Sequence, residues 1–125
     1  MKHISFSWTT AALLAGAKTC TRRSWNDAYA KRFHAGDLVA AYDKSPRAGG
    51  KQIATIRLTR DPYQEFVRDA PPEDYQREGL AWMEERGVLI QRATPRQFWA
   101  DWQAANTLEW VIRFEGVKGE QDGET

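Results

Sequence analysis

Eight residues, Gly16-Ala17-Lys18-Thr19-Cys20-Thr21-Arg22-Arg23, set the strongest limit on how this chain folds. They place one lysine, two threonines and two arginines directly after the apolar run Ala11-Ala12-Leu13-Leu14-Ala15. That run is only long enough for a short helix. Gly16 can end it in the left-handed conformation that glycine adopts at little cost. Thr19 to Arg23 are mostly β-branched or basic and predict an extended segment. Strand alternation puts Thr19, Thr21 and Arg23 on one face and Cys20 and Arg22 on the other. Lys18 then falls at the corner between helix and strand.

The chain has 125 residues, enough for one domain with its own core. Hydrophobic residues make up 42% and include six tryptophans, so no staple is needed. The single cysteine, Cys20, has no internal partner for a disulfide, which points to a reducing, cytoplasmic setting. No apolar run approaches a membrane span, and Met1 to Phe6 lack the apolar stretch of a signal peptide. The net charge is +1, so bulk charge gives no argument for nucleic acid. The distribution is uneven. Lysine and arginine far outnumber Asp27, Asp37 and Asp43 in the first sixty residues, and the remainder is acidic in compensation. Either the basic half forms a phosphate-facing surface, or the two halves interleave and neutralise each other.

In chain order, Ile4, Phe6 and Trp8 alternate with polar residues and predict a strand from His3 to Trp8. Thr9 or Thr10 can cap the short helix, and Asn26 or Ser24 can open a second one from Asp27 to Phe33. Leu38–Tyr42 and Gln52–Leu58 read as antiparallel strands joined by the loop Asp43 to Gly50. Asp61-Pro62 and Pro71-Pro72 interrupt the pattern. A helical region around Leu80 and Met83, weakened by Gly79, stops at Gly87. Thr94-Pro95 opens a clear helix bearing Phe98, Trp99 and Trp102. Leu108 to Phe114 reads as the last strand, and residues 118–125 as a flexible tail beyond a single domain at 1–117. Strands with short helices between them predict an α+β fold, a small mixed β-barrel with helices at its ends and side.

The opening stretch resembles the signature of ASCH domains, members of the PUA-like class of small barrels. That signature is a glycine, a lysine two on, an acidic residue or threonine three later and an arginine two further. Gly16, Lys18, Thr21 and Arg23 occupy these positions. The helix at 11–15 and the run Phe33-His34-Ala35-Gly36-Asp37-Leu38-Val39 match the family layout, and the resemblance extends over about residues 3–80. It implies an RNA- or nucleotide-binding module with a cleft beside the barrel. Some small members are amidohydrolases that deacetylate N4-acetylcytidine with a threonine, a lysine and a glutamate. Lys18 and Thr21 match that set. Glu78, in Glu78-Gly79-Leu80, is the best match for the glutamate, and Glu73 is the second. The Pro71-Pro72 approach and the tryptophan-bearing helix depart from those members.

Three functions follow. The first is binding of RNA or a modified nucleotide, with Lys18, Arg22 and Arg23 on the ligand, Trp25 at the rim, and Lys44 and Arg47 of the hairpin loop on phosphates. The second is amide hydrolysis by Lys18, Thr21 and Glu78. The third is a metal-independent ribonuclease using the same basic cleft. A threonine nucleophile needs a base, and a lysine serving as one near neutral pH needs a shift of roughly three units, about 4–5 kcal/mol. Arg22 and Arg23 would favour that shift. A carboxylate beside Lys18 would oppose it, so Glu78 suits a proton shuttle better than an ion pair. Each residue also has a structural reading: Lys18 as a solvated lysine near a helix end, Thr21 as a plain strand residue, Glu78 as a surface charge, Arg23 as an ion-pair partner. Trp82, Phe98, Trp99 and Trp102 can stack on bases, though helical spacing more often marks a core. His3, His34 and Cys20 lack ligand spacing, and there is no glycine-rich phosphate loop, so neither metal nor cofactor is expected. The oligomeric state is left open. Convergence of Lys18, Thr21 and Glu78 is the geometric condition for the hydrolase.

Overall fold

The computed structural model describes residues 1–117; the tail expected at 118–125 lies outside the described residues. In chain order the elements are β1 (His3–Ser5), α1 (Thr10–Leu14), β2 (Cys20–Arg23), α2 (Asp27–Ala30), β3 (Leu38–Tyr42), β4 (Gln52–Leu58) and β5 (Tyr63–Phe66). α3 (Asp74–Arg77), α4 (Leu80–Glu85), α5 (Pro95–Ala105) and β6 (Leu108–Gly116) complete them. The strands form a mixed half-barrel in the order β1-β3-β4-β6-β2, with β5 also on β6. Among the described residues, only the β1–β3 pair is parallel. This is a small α+β fold. No helix among the described residues is long and apolar enough to cross a membrane.

Most elements follow from local chemistry. Asn26 Oδ1 accepts the Tyr29 N–H at 2.8 Å and starts α2. Thr94 Oγ1 accepts the Gln97 N–H at 3.1 Å, with Pro95 in the first turn of α5. Gly16, at φ +77°, closes α1 as the sequence requires. β3 and β4 pair antiparallel around the loop expected between them.

Three local expectations are corrected. The strand expected to run from His3 to Trp8 stops at Ser5, because Ser7 takes a left-handed φ of +48° and Ser7–Thr9 winds into a 3-10 turn. Thr9 does not cap α1; its hydroxyl donates to the Phe6 carbonyl at 2.6 Å, and neither Thr9 nor Thr10 gives a side-chain cap. α2 ends at Ala30, and the chain to Phe33 continues as turns that still bury the Phe33 ring.

β5 has no counterpart in the sequence reading. Pro62 interrupts the ladder without ending the strand direction. Between Leu58↔Phe114 and Tyr63↔Val111, five steps on the β4–β5 side match three on β6. The two extra residues are taken up in the bend, and β4 and β5 pair with successive parts of β6.

Two apolar clusters flank the half-barrel. The larger holds Ile4, Phe6, Phe33, Val39, Ile56, Leu58, Ile112 and Phe114. The smaller gathers Ala12, Tyr75, Leu80, Met83 and Trp99 beneath α3, α4 and α5. The turn between α3 and α4 packs on the corner before β2. The Thr19 N–H donates to the Arg77 carbonyl at 2.8 Å. Gly79 has φ +92°, and a Cβ there would lie 2.9 Å from Ala12 Cβ and 3.4 Å from Lys18 Cβ. The glycine is therefore needed twice, for its backbone and for its lack of a side chain. Gly79→Ala should destabilise the fold by about 2–4 kcal/mol, from left-handed strain plus overpacking. Urea unfolding would show this as a lower midpoint at unchanged slope; a loss below about 0.5 kcal/mol would contradict the close approach.

Candidate functional site: a cavity over a buried charge network

The two clusters leave a cavity of about 260 Å³ between them, lined by Phe6 from one and Leu80 from the other. β2 supplies Thr21 and Arg23, the corner before it supplies Lys18, and the α3–α4 turn supplies Glu78. Trp8 from the 3-10 turn and Phe98 and Trp102 from α5 add an aromatic side. Trp8 meets Phe98 edge-on at 5.2 Å between ring centres, and Phe98 lies 5.7 Å from Trp102. Trp8 remains 48% exposed, so this side opens to solvent.

The floor is a chain of charged hydrogen bonds. Lys18 Nζ donates to the Glu78 carbonyl at 2.9 Å and to Glu78 Oε1 at 3.0 Å. Arg22 Nη1 donates to Glu78 Oε2 at 2.7 Å. Arg22 Nη2 donates to Glu65 Oε1 at 2.9 Å and also to Asp74 Oδ2. Asp74, fully buried, further accepts from Arg113 at 3.0 and 2.8 Å and from Arg77 at 3.1 Å. Thr21 Oγ1 accepts from Arg23 Nε at 3.0 Å, leaving its own proton free to donate.

Burial alone would raise the Asp74 carboxyl. Hydrogen bonds from Arg113 and Arg22, with the Arg22 charge and the Arg77 contact, outweigh it and pull the group down to about 2. Burial opposes the Arg22 cation, yet Glu78 and Asp74 hold it above its ordinary value. Burial pushes the Cys20 thiol up to about 12, helped by the Glu78 charge, so Cys20 is an inert core residue. Burial lowers the Arg23 guanidinium, against the attraction of Glu78.

Lys18, Thr21 and Glu78 thus line one cavity, together with Arg23. The Lys18–Glu78 contact is the ion pair that the hydrolytic scheme set aside, and that part of the scheme is corrected. The alternation places Arg22 away from Thr21, but Arg22 lines the same cavity. Its guanidinium is spent on three carboxylates, however, rather than held for a ligand. Trp25 is not at the rim; it stacks on Phe33 at 4.6 Å and meets Tyr29. Lys44 and Arg47 are exposed in the hairpin loop and do not line the cavity. Glu73 lines a different surface cleft with Gln76 and Arg77. Trp99 is buried in the smaller core, and Trp82 lies outside the cavity under the Arg86 guanidinium. The basic and acidic halves interleave, as the pairs of Arg22 with Glu65, Asp74 and Glu78 show.

Trp8, Ser5 and Ser7 are lining residues that the sequence reading misses. The left-handed Ser7 that turns Trp8 outward leaves no mark in an alternating pattern.

The Asp74 carboxyl has a folded value near 2 against 3.8 in free chain. Its stabilisation is therefore complete above about pH 4 and is lost as the pH falls through 2, amounting to about 2 kcal/mol. Asp74→Asn should lose this acid-side dependence and unfold about 3–5 kcal/mol more easily at pH 7, since it leaves arginines buried and unpaired. Denaturant melts between pH 2 and pH 7 would check it; an identical pH profile in the variant would refute the assignment.

No family model and no curated protein matches the sequence. The three-dimensional structure does find relatives in fold. Protein EF3133 from Enterococcus faecalis V583, of the family designated DUF984, superposes with a TM-score of 0.58 at 17% identity, over 93% of this chain and 79% of that one. An ASCH domain from Lactobacillus crispatus JV V101 superposes with a TM-score of 0.53 at 17% identity, over 92% of this chain and 78% of that one. With its half-barrel and inserted short helices, the chain has the fold of the ASCH domains.

Proposed function

We propose that the cavity binds a nucleobase, carried by a nucleoside or by single-stranded RNA. The observation that carries this reading is the joining of an aromatic side to a charged floor. Trp8, Phe98 and Trp102 offer faces and edges for a planar ring, while Thr21, Arg23 and Glu78 offer donors and acceptors for its polar edge. A volume of about 260 Å³ suits a small planar group rather than a large ligand. Glu78, Asp74 and Glu65 engage Lys18 and Arg22, so Arg23, which makes no ion pair among the described residues, is the cation left to favour an anionic substituent.

Trp8 is the cleanest test, because its exposure lets it be removed without opening a core. Trp8→Ala should weaken binding of cytidine, or of a short single-stranded oligoribonucleotide, by about tenfold, as loss of one stacking face implies. Calorimetry on the variant and the parent would measure this. Equal affinities would contradict an aromatic-sided base site.

A second reading, amide hydrolysis of an N4-acetylated cytidine, draws on the placement of Lys18, Thr21 and Glu78 around one cavity. In it Thr21 Oγ attacks the acetyl carbonyl carbon, the C–N bond breaks, and the amine leaves with a proton. Water then releases acetate from Thr21. In this scheme Glu78 passes the proton, and Lys18 must give up its bond to Glu78 before it can accept one. The same incubation of N4-acetylcytidine with parent and Thr21→Ala protein, read by chromatography, tests it. Cytidine formed by the parent and reduced at least about hundredfold in the variant supports catalysis. No cytidine from the parent leaves binding alone.

A further inference from the structure

A second surface cleft of about 470 Å³ lies beside β6; it shares Thr19 and Arg77 with the cleft that holds Glu73, and no lining residue with the cavity. Arg60, Arg77 and Arg113 line it, with Tyr63 and the exposed residues Thr19 and Thr59. No carboxylate lines it. The three guanidinium groups are gathered on Tyr63 and Asp74. Arg60 lies 4.0 Å over the Tyr63 ring, and Arg113 Nε donates to the Tyr63 hydroxyl at 3.0 Å. Arg113 and Arg77 both donate to Asp74 behind the cleft.

The charges do not balance. Asp74 carries one negative charge and already serves Arg22, which takes part of it from the other side. Arg77 and Arg113 have no second carboxylate, and among the described residues Arg60 has none at all. Asp74 and Tyr63 orient the arginines but leave the cleft strongly positive. Oriented guanidinium groups with hydroxyls at their edge match the three acceptor oxygens of a phosphate group.

We propose that this cleft is a phosphate-binding site, taking the phosphate of a nucleotide or RNA strand or a free polyphosphate. Arg60 is its uncompensated cation, held over Tyr63, and Arg77 and Arg113 are anchored on Asp74. The proposal does not depend on the base site. A nucleoside without phosphate tests the cavity, and a phosphate without a base tests the cleft.

The experiment titrates the 15N-labelled chain with inorganic pyrophosphate and, separately, with cytidine, following arginine Nε–H and tryptophan indole signals. Pyrophosphate should move the signals of Arg60, Arg77 and Arg113, whereas cytidine should move the indole of Trp8. Among the described residues Arg60 makes no ion pair, so Arg60→Glu should fold normally and bind pyrophosphate at least about tenfold more weakly. The same charge change at exposed Lys31, Lys31→Glu, should alter binding less than about twofold. Equal losses in the two variants, or no movement of the three arginines, would overturn the site. Silence with cytidine alone would remove the base reading and leave the cleft standing. Displacement of pyrophosphate by a short oligoribonucleotide assigns the site to an RNA strand, and displacement only by small phosphates assigns it to a free phosphate compound.

Discussion

The bond on which the rest of the molecule depends is the one between Glu78 and the two cations of the opening motif. A carboxylate this deep is tolerated only if paired and hydrogen-bonded, and Lys18 and Arg22 do both. Residues 60 apart in sequence are joined by this contact. It fixes the α3–α4 turn against the corner before β2, and Gly79 lets the two backbones approach. The cavity exists because that turn stands where it does, with charges below and the aromatic side chains of α5 beside it. Removing Glu78 would leave the buried Lys18 without a carboxylate, so the same interaction secures the fold and shapes the site.

Asp74 extends this network to Arg77 and Arg113. Four arginine N–H groups saturate its two oxygens, two of them from Arg113 and one each from Arg22 and Arg77. Arg22 faces the cavity while Arg77 and Arg113 face the second cleft. One carboxylate thus orders the cationic walls of two concavities. A change of charge at either is felt by the group that holds the other, which makes Asp74 the physical link between them.

What the sequence makes legible is what is local. Gly16, the Thr21–Arg23 face, the Asn26 and Thr94 caps and the β3–β4 pair follow from residues a few positions apart. Glu78 is reached through family resemblance, and the structure supplies its partners. Arg22 shows the limit of alternation: it tells which face the side chain takes but not that Glu65, Asp74 and Glu78 wait there from three other segments. Trp25 sits next to the motif yet turns to Phe33, because an aromatic ring follows the nearest core rather than the nearest charge. Ser7 breaks an alternating pattern without glycine or proline, so Trp8 reads as a core residue and stands at the opening of the cavity instead. β5 is hidden by Pro62, just before it, which reads as the end of the pattern, although a new strand starts at Tyr63 after a four-residue break.

The central claim is that a base lies between the aromatic side and the Thr21–Glu78 floor. The most direct measurement is a crystal structure of the chain soaked with cytidine. The account expects the ring against Trp8 or Trp102, with its polar edge within hydrogen-bond distance of Thr21, Arg23 or Glu78. A cytidine bound elsewhere, with this cavity left to water at saturating nucleoside, would contradict it.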